Sequence, residues 1–305
     1  MRTTMKKHPS YSFYNYSFCV LLMLLISSCG GSTSTDTSSD SNLFSEAESK
    51  IFKDISKIIE DLPPPAEIPT AMQSIGATYD ETLPNDLEKL DSYLLEPDKA
   101  ALNLGVYASD IGYLIAYDQV QESIDHMTAC QQLAENLGVS TAFNIEMIQK
   151  YEAAMDDHEK LILLLNETIK QAEARLGESD QLTNAGLVLT GSFIEGLYLA
   201  VKVIKEHHNE HRRDSNEDEI LEPLVRMVMD QEQPLIDIIA LLRDIPQEPI
   251  ITKMIAELNI LKLLYDGDLA EIEARLEENP EMVITEEMLF DISLEVIRIR
   301  KSITS

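Results

Sequence analysis

Beyond residue 42, apolar positions recur with the 3.6-residue period of an α-helix in nearly every segment of the chain. Phe44, Ala47, Ile51, Phe52, Ile55, Ile58 and Ile59 fall on one helical stripe, with Ser45 and Glu48 spaced as a capping box. PPPAEIP at 63–69 stops that helix, because proline removes a backbone donor and disfavours the helical conformation of the residue before it. Further helices are expected near 70–76, 85–95, 97–117, 118–137, 142–155, 157–176 and 180–208. Others follow near 217–230, 234–244, 248–265, 268–278 and 286–302. Pro97 suits a first turn, Asp118 suits an N-cap and Gly138 suits a helix end. Asp266-Gly267 separates two helical patterns rather than two strands. No run alternates as a strand would. The expected fold is all-α, a multi-helix bundle or an irregular stack of helical hairpins with ten or more helices. A tetratricopeptide register begun at Leu104-Gly105 fails, because its later small and aromatic positions fall on Tyr117 and Gln121.

The first 42 residues break this pattern. Arg2, Lys6 and Lys7 make a basic start, Phe18 to Ile26 is an apolar run, and the run ends Ile26-Ser27-Ser28-Cys29. The apolar run is too short to cross a bilayer, which takes roughly 20 residues as a helix. It reads instead as a secretory signal. The stretch before Cys29 resembles the lipobox of bacterial lipoproteins: an aliphatic residue, two small residues, then a cysteine. The resemblance implies cleavage after residue 28 and lipidation of Cys29, with palmitate among the acyl chains. It also implies that Gly30, in place of Asp, favours the outer membrane of a Gram-negative bacterium. Residues 29–42, rich in Gly, Ser, Thr and Asp, then serve as a flexible tether. The membrane is thus an expected partner through the Cys29 anchor, beside an envelope protein or small ligand.

Charge narrows the class further. The 305 residues carry 24 Lys+Arg and 54 Asp+Glu, a net charge of −30. The three basic residues of the signal make the remaining chain more acidic still. Such a surface repels nucleic acid and anionic head groups, which excludes a nucleic-acid-binding role. Cys19 lies in the signal and Cys29 is the lipidation site, so Cys130 alone remains and no intramolecular disulfide is expected. On a stripe with Ile124, Met127 and Leu133, Cys130 reads as a small buried hydrophobe, with His126 four residues away.

The pattern divides the chain into a helical domain at 43–208, a charged linker at 209–219 and a helical part at 220–305 able to pack on the first. DSNEDEILEPLV (214–225) begins like a calcium loop, but position 6 is Glu219 where glycine is needed and position 12 is Val225 where glutamate is needed. His207 and His211 share a helical face without a third ligand in register. No cofactor or metal is expected.

Two stretches hold the candidate chemistry. In NLGVYASDIGYLIAYDQ (103–119), Asn103, Tyr107, Asp110 and Tyr117 line one side of a helix, and Gly105, Ser109 and Gly112 form a small-residue strip. They suit either one wall of a binding cleft or a packed helix whose tyrosines hydrogen-bond nearby. NAGLVLTGSFIEGLYLAVKVI (184–204) is the most apolar stretch after the signal. Glu195 and Lys202 argue against a membrane span there, and Ser192, Gly196 and Ala200 suggest close approach of another backbone. A carboxylate in so apolar a helix must be paired or hold its proton, so Glu195, with Tyr198 one turn on, is a candidate site. NLGVYASDIGYL, LAENLGVSTAF and EGLYLA resemble stretches of uncharacterised all-helical lipoproteins of Gram-negative bacteria. That resemblance implies no activity and groups Asn103–Tyr117 with Glu195–Tyr198. The leading expectation is a non-enzymatic binding or scaffold module. The alternative is a periplasmic or surface hydrolase using Glu195 or Asp110 as general acid-base, and it would need that carboxylate in an open, water-filled cleft.

Overall fold

The computed structural model describes residues 49–51, 53–58, 67–139, 144–176, 181–211, 217–279 and 282–305. The expected capping box at Ser45 and Glu48, the signal, Cys29 and the tether lie outside them. The described residues contain no strand, and residues 45–305 form one compact unit.

A first helix, α1, is described over 49–51 and 53–58, with Ile51, Ile55 and Ile58 buried. There follow α2 (Glu67–Ser74), a 3-10 turn (Leu87–Lys89), α3 (Leu90–Tyr93), α4 (Pro97–Ala116), α5 (Val120–Asn136) and α6 (Ile145–Glu152). Then come α7 (His158–Leu176), α8 (Leu182–His211), α9 (Glu217–Met229) and α10 (Glu232–Asp244). The chain continues through α11 (Pro249–Glu278), a second 3-10 turn (Glu286–Leu289) and α12 (Phe290–Ile303).

Helix α8 is the hub. It touches α2, α4, α7, α9, α10, α11 and α12. Length and composition alone would let Leu182–Glu206 cross a membrane, but most of that stretch is buried against other helices. A helix apolar on every side is what a central position requires.

The contact of α8 with α4 is backbone on backbone. A Cβ built on Gly105 would stand 2.0 Å from the Val188 carbonyl oxygen, and one on Gly191 would stand 2.0 Å from that of Leu102. Ser109 and Ser192 close the seam, Oγ to Oγ at 2.8 Å. The close approach was expected along Ser192, Gly196 and Ala200. Ser192 does lie on it, but Gly196 faces α2 instead, where a Cβ would meet only the Ile68 side chain at 3.6 Å.

Two boundaries differ from the sequence reading. Asp118 does not cap α5; Gln119 holds the N-cap position. Asp118 adopts φ 58° and ends α4, while the Gln119 N–H donates to the Leu114 carbonyl at 2.8 Å. Gly138 ends α5 in the same way at φ 76°, with Val139 N–H on the Ala134 carbonyl. Aspartate tolerates the left-handed conformation better than most side chains. Gly267 does not break the chain either. The buried stripe of Leu258, Leu261, Tyr265 and Ile272 runs straight through it, making one helix of 30 residues. A glycine inside a helix costs only roughly 1 kcal/mol, less than the burial of that stripe returns.

Candidate functional site

Helices α4, α8 and α12 bring the candidate residues into one buried polar cluster. Asn103, Tyr107, Asp110 and Glu195 are fully buried, and Tyr198 is half-buried. At its centre, Arg300 of α12 donates from Nε to Glu195 Oε2 at 3.0 Å and from Nη2 to Oε1 at 3.1 Å. The same guanidinium donates to the Leu83 carbonyl at 3.3 Å and lies 4.3 Å from the centre of the Tyr198 ring. A largely buried arginine is thereby neutralised, hydrogen-bonded and stacked, which is what charge burial demands.

Asp110 sits close enough to Glu195 for their charges to act on each other, and its buried Oδ1 has no other protein partner. Burial pushes the Asp110 carboxyl far above the ordinary carboxylate range, and the neighbouring Glu195 charge pushes it further. Burial also raises Glu195, but Arg300 pulls it back toward the charged form. The arrangement is therefore a carboxylic acid, a carboxylate and a guanidinium, with the proton on Asp110 and the negative charge facing Arg300. Asp110 Oδ2 accepts from the Asn85 backbone N–H at 2.9 Å, which leaves Oδ1 to carry the proton.

The remaining polar groups hold irregular backbone. The Asn85 amide donates to Asn103 Oδ1 at 3.1 Å and to the Tyr93 hydroxyl at 3.2 Å. Asn103 Nδ2 donates to the Ile303 carbonyl at 3.2 Å, and Tyr93 and Lys89 both donate to the Thr304 carbonyl at 3.0 Å. The tyrosines of α4 and its C-cap form a row of hydrogen-bonding partners for the segment 77–86. Tyr107 reaches the Asp86 carbonyl at 3.0 Å and Tyr117 the Ala77 carbonyl at 3.1 Å, while Tyr113 accepts from the Asp80 N–H at 2.9 Å. In 103–119 the tyrosine hydroxyls bond to the neighbouring backbone, and Asn103, Tyr107 and Asp110 are buried. The tyrosines satisfy the backbone of a strapped segment that has no helix of its own.

Sequence reasoning missed Asn85, Tyr93 and Arg300. Asn85 and Tyr93 carry no local signal. Arg300 carried one, because it lies within one turn of the apolar positions Val296, Ile299 and Ile303, where a cation needs a buried partner.

Cys130 is buried and free, and burial raises its thiol well above the ordinary value. It is an inert packing residue, as its stripe implied. His126 packs edge-on against Tyr107, ring centres 5.4 Å apart, and burial lowers its proton affinity. The side chains of His207 and His211 and residues 214–216 lie outside the described residues, while 217–225 are helical, the first turns of α9, rather than a calcium loop. Among the described residues, no group of three His, Cys, Asp or Glu is placed to hold a metal ion.

The pH dependence of stability follows from Asp110. In the unfolded chain it loses its proton near the ordinary value of 3.8, whereas the folded protein keeps it. The folded state then binds the extra proton, so stability falls as pH rises from about 4 toward the folded-state value, by up to about 1.4 kcal/mol per pH unit. Asparagine copies the protonated acid, with an oxygen for the Asn85 N–H and a donor for Glu195. Asp110→Asn is expected to flatten this slope and to match or exceed the parent's stability at pH 7. Urea titrations at several pH values read it; an unchanged slope would place the proton elsewhere.

No protein-family model, curated protein or solved structure matches the chain.

Proposed function

We propose that the chain is a lipid-anchored, non-enzymatic binding or scaffold protein of the cell envelope. One observation carries the non-enzymatic part: both oxygens of Glu195 are engaged by Arg300 in a fully buried position. A general acid or base must come within hydrogen-bond reach of the proton it moves. Neither Glu195 nor Asp110 offers a substrate that reach while α4, α8 and α12 remain together. These residues hold the protein's shape, and its surface is what a partner would meet. That surface is strongly acidic and carries exposed apolar residues, as a contact module requires.

The anchor rests on the lipobox-like stretch ending at Cys29, and Gly30 supports outer-membrane sorting. Two or more acyl chains hold a protein stably to a bilayer, whereas one does so only marginally. Cys29→Ala is therefore expected to move the protein from the membrane to the soluble fraction. Retention of that variant in the membrane would remove the anchor from this reading. Crosslinking of the acylated protein in its native membrane tests the binding role. A defined, saturable partner supports it, and hydrolytic turnover by the purified protein would replace it.

A further inference from the structure

Helices α11 and α12 lie antiparallel, registered by the Arg298–Glu257 ion pair and by Lys253 Nζ on Ser302 Oγ at 3.0 Å. Ile260 and Leu263 of α11 and Leu294 and Phe290 of α12 fall in the stretches that this register brings level with one another. All four are open to solvent, at 47%, 68%, 46% and 55% exposure. Ile260 and Leu263 are three residues apart, and Phe290 and Leu294 four, so each pair forms a short outward stripe. Most exposed apolar residues on a soluble protein are scattered singly, and a set on one helix pair is a docking signature.

Next to this face is a cavity of about 300 Å³ between α11 and the 285–291 segment. Asp268, Glu271, Glu287 and Asp291 line it, together with Met288 and Phe290. The one cation of its lining, Arg275, is bonded to Glu271 at 2.5 Å. Asp268 Oδ2 is shielded from solvent without a hydrogen-bond partner, and burial, Asp291 and Glu271 together raise its proton affinity. The sequence around it is one-sided: residues 266–291 carry ten acids and one arginine. The wall is thus an array of mutually repelling carboxylates with too little countercharge.

We propose that this outer face of the α11–α12 pair docks a basic amphipathic helix of a partner protein. A Lys or Arg of that helix enters the cavity beside Asp268 and Asp291, and its apolar stripe covers Ile260, Leu263, Phe290 and Leu294. Charge complementarity selects this occupant. A second copy of the chain would bring acid to acid, and an anionic membrane would be repelled. The proposal rests on the binding-module reading above and names its partner class.

The test uses the full chain and a labelled 18-residue helical peptide of leucine and lysine, with leucines at i, i+3, i+4 and i+7, read by fluorescence anisotropy. The controls are the same peptide with glutamate for lysine and with serine for leucine. Saturable binding of the Leu/Lys peptide alone is expected, weakening as salt rises. Asp268→Asn/Asp291→Asn and Leu263→Ser/Phe290→Ser are each expected to weaken it about tenfold or more, the size of a lost interface anchor. All four positions lie at the surface or cavity rim, and unchanged thermal melts will show that the variants fold. The charge-matched variant Glu146→Gln/Glu152→Gln, on α6, is expected to bind like the parent. Three results would each overturn the proposal: no saturable binding at low salt, equal weakening by the α6 variant, or binding that needs charge but not leucine. The broader binding role would survive any of them if crosslinking in the native membrane captured a partner that the α11–α12 variants still retained.

Discussion

The double variant Glu195→Gln/Asp110→Asn is expected to lose about 3–5 kcal/mol of stability at pH 7, although Asp110→Asn alone costs nothing. The cluster holds one positive and one negative charge, with Asp110 as a neutral donor between them. Asp110→Asn leaves the Arg300–Glu195 pair intact and removes only a proton that had to be kept. Glu195→Gln alone removes the charge Arg300 faces, but Asp110 can then ionise and supply it, so the single loss is partial. In the double variant no carboxylate remains, and Arg300, largely buried and four-fold engaged, is stranded without a counter-ion. The three denaturation free energies therefore will not add, and the excess in the double variant measures the coupling. Additive losses would mean that Asp110 and Glu195 do not share a proton.

This network also decides which parts of the chain must stay together. Arg300 ties α12 to α8, and Asn103, Tyr93 and Lys89 tie the carbonyls of Ile303 and Thr304 to α4, to α3 and to the turn before α3. The strapped segment 77–86 is fastened to α4 by Tyr107, Tyr113 and Tyr117. Residues far apart in sequence are thus joined around one buried salt bridge.

Much of this was legible in the sequence. The helices are amphipathic at a 3.6-residue period, and their ends carry Pro97 and Gly138, whose backbone preferences act locally. Glu195 was legible as an anomaly because desolvation makes a lone carboxylate in an apolar helix untenable. Its partner was not, since pairing across 105 residues depends on how α8 and α12 pack. Gly267 misled because glycine only weakly disfavours a helix, and an uninterrupted buried stripe outweighs it. Asp118 misled because aspartate serves both as an N-cap and as a left-handed helix end, and only the backbone of α4 decides between them. The small-residue strips showed that close helix contact occurs, but a strip on each of two helices does not say which glycines meet.

That last point carries the second large effect. Gly191→Ala is expected to destabilise the protein by roughly 3 kcal/mol or more, at the upper end of what overpacking costs. Its new methyl group would stand 2.0 Å from the Leu102 carbonyl oxygen, which is backbone and cannot rotate away. Relief requires α4 and α8 to separate, and separation would also open the Ser109–Ser192 contact one turn along and shift Asp110 from Glu195. Gly105→Ala meets the Val188 carbonyl in the same way and is expected to match it. Gly196→Ala is the control. Its methyl would meet only the Ile68 side chain at an ordinary 3.6 Å, and alanine favours a helix over glycine by up to about 1 kcal/mol. It is expected to be neutral or stabilising. Thermal and urea unfolding of the three variants separates them directly. A Gly191→Ala protein as stable as the Gly196→Ala protein would show that α4 and α8 do not meet backbone to backbone at this seam, and the pairing of Asp110 with Glu195 would have to be rebuilt with it.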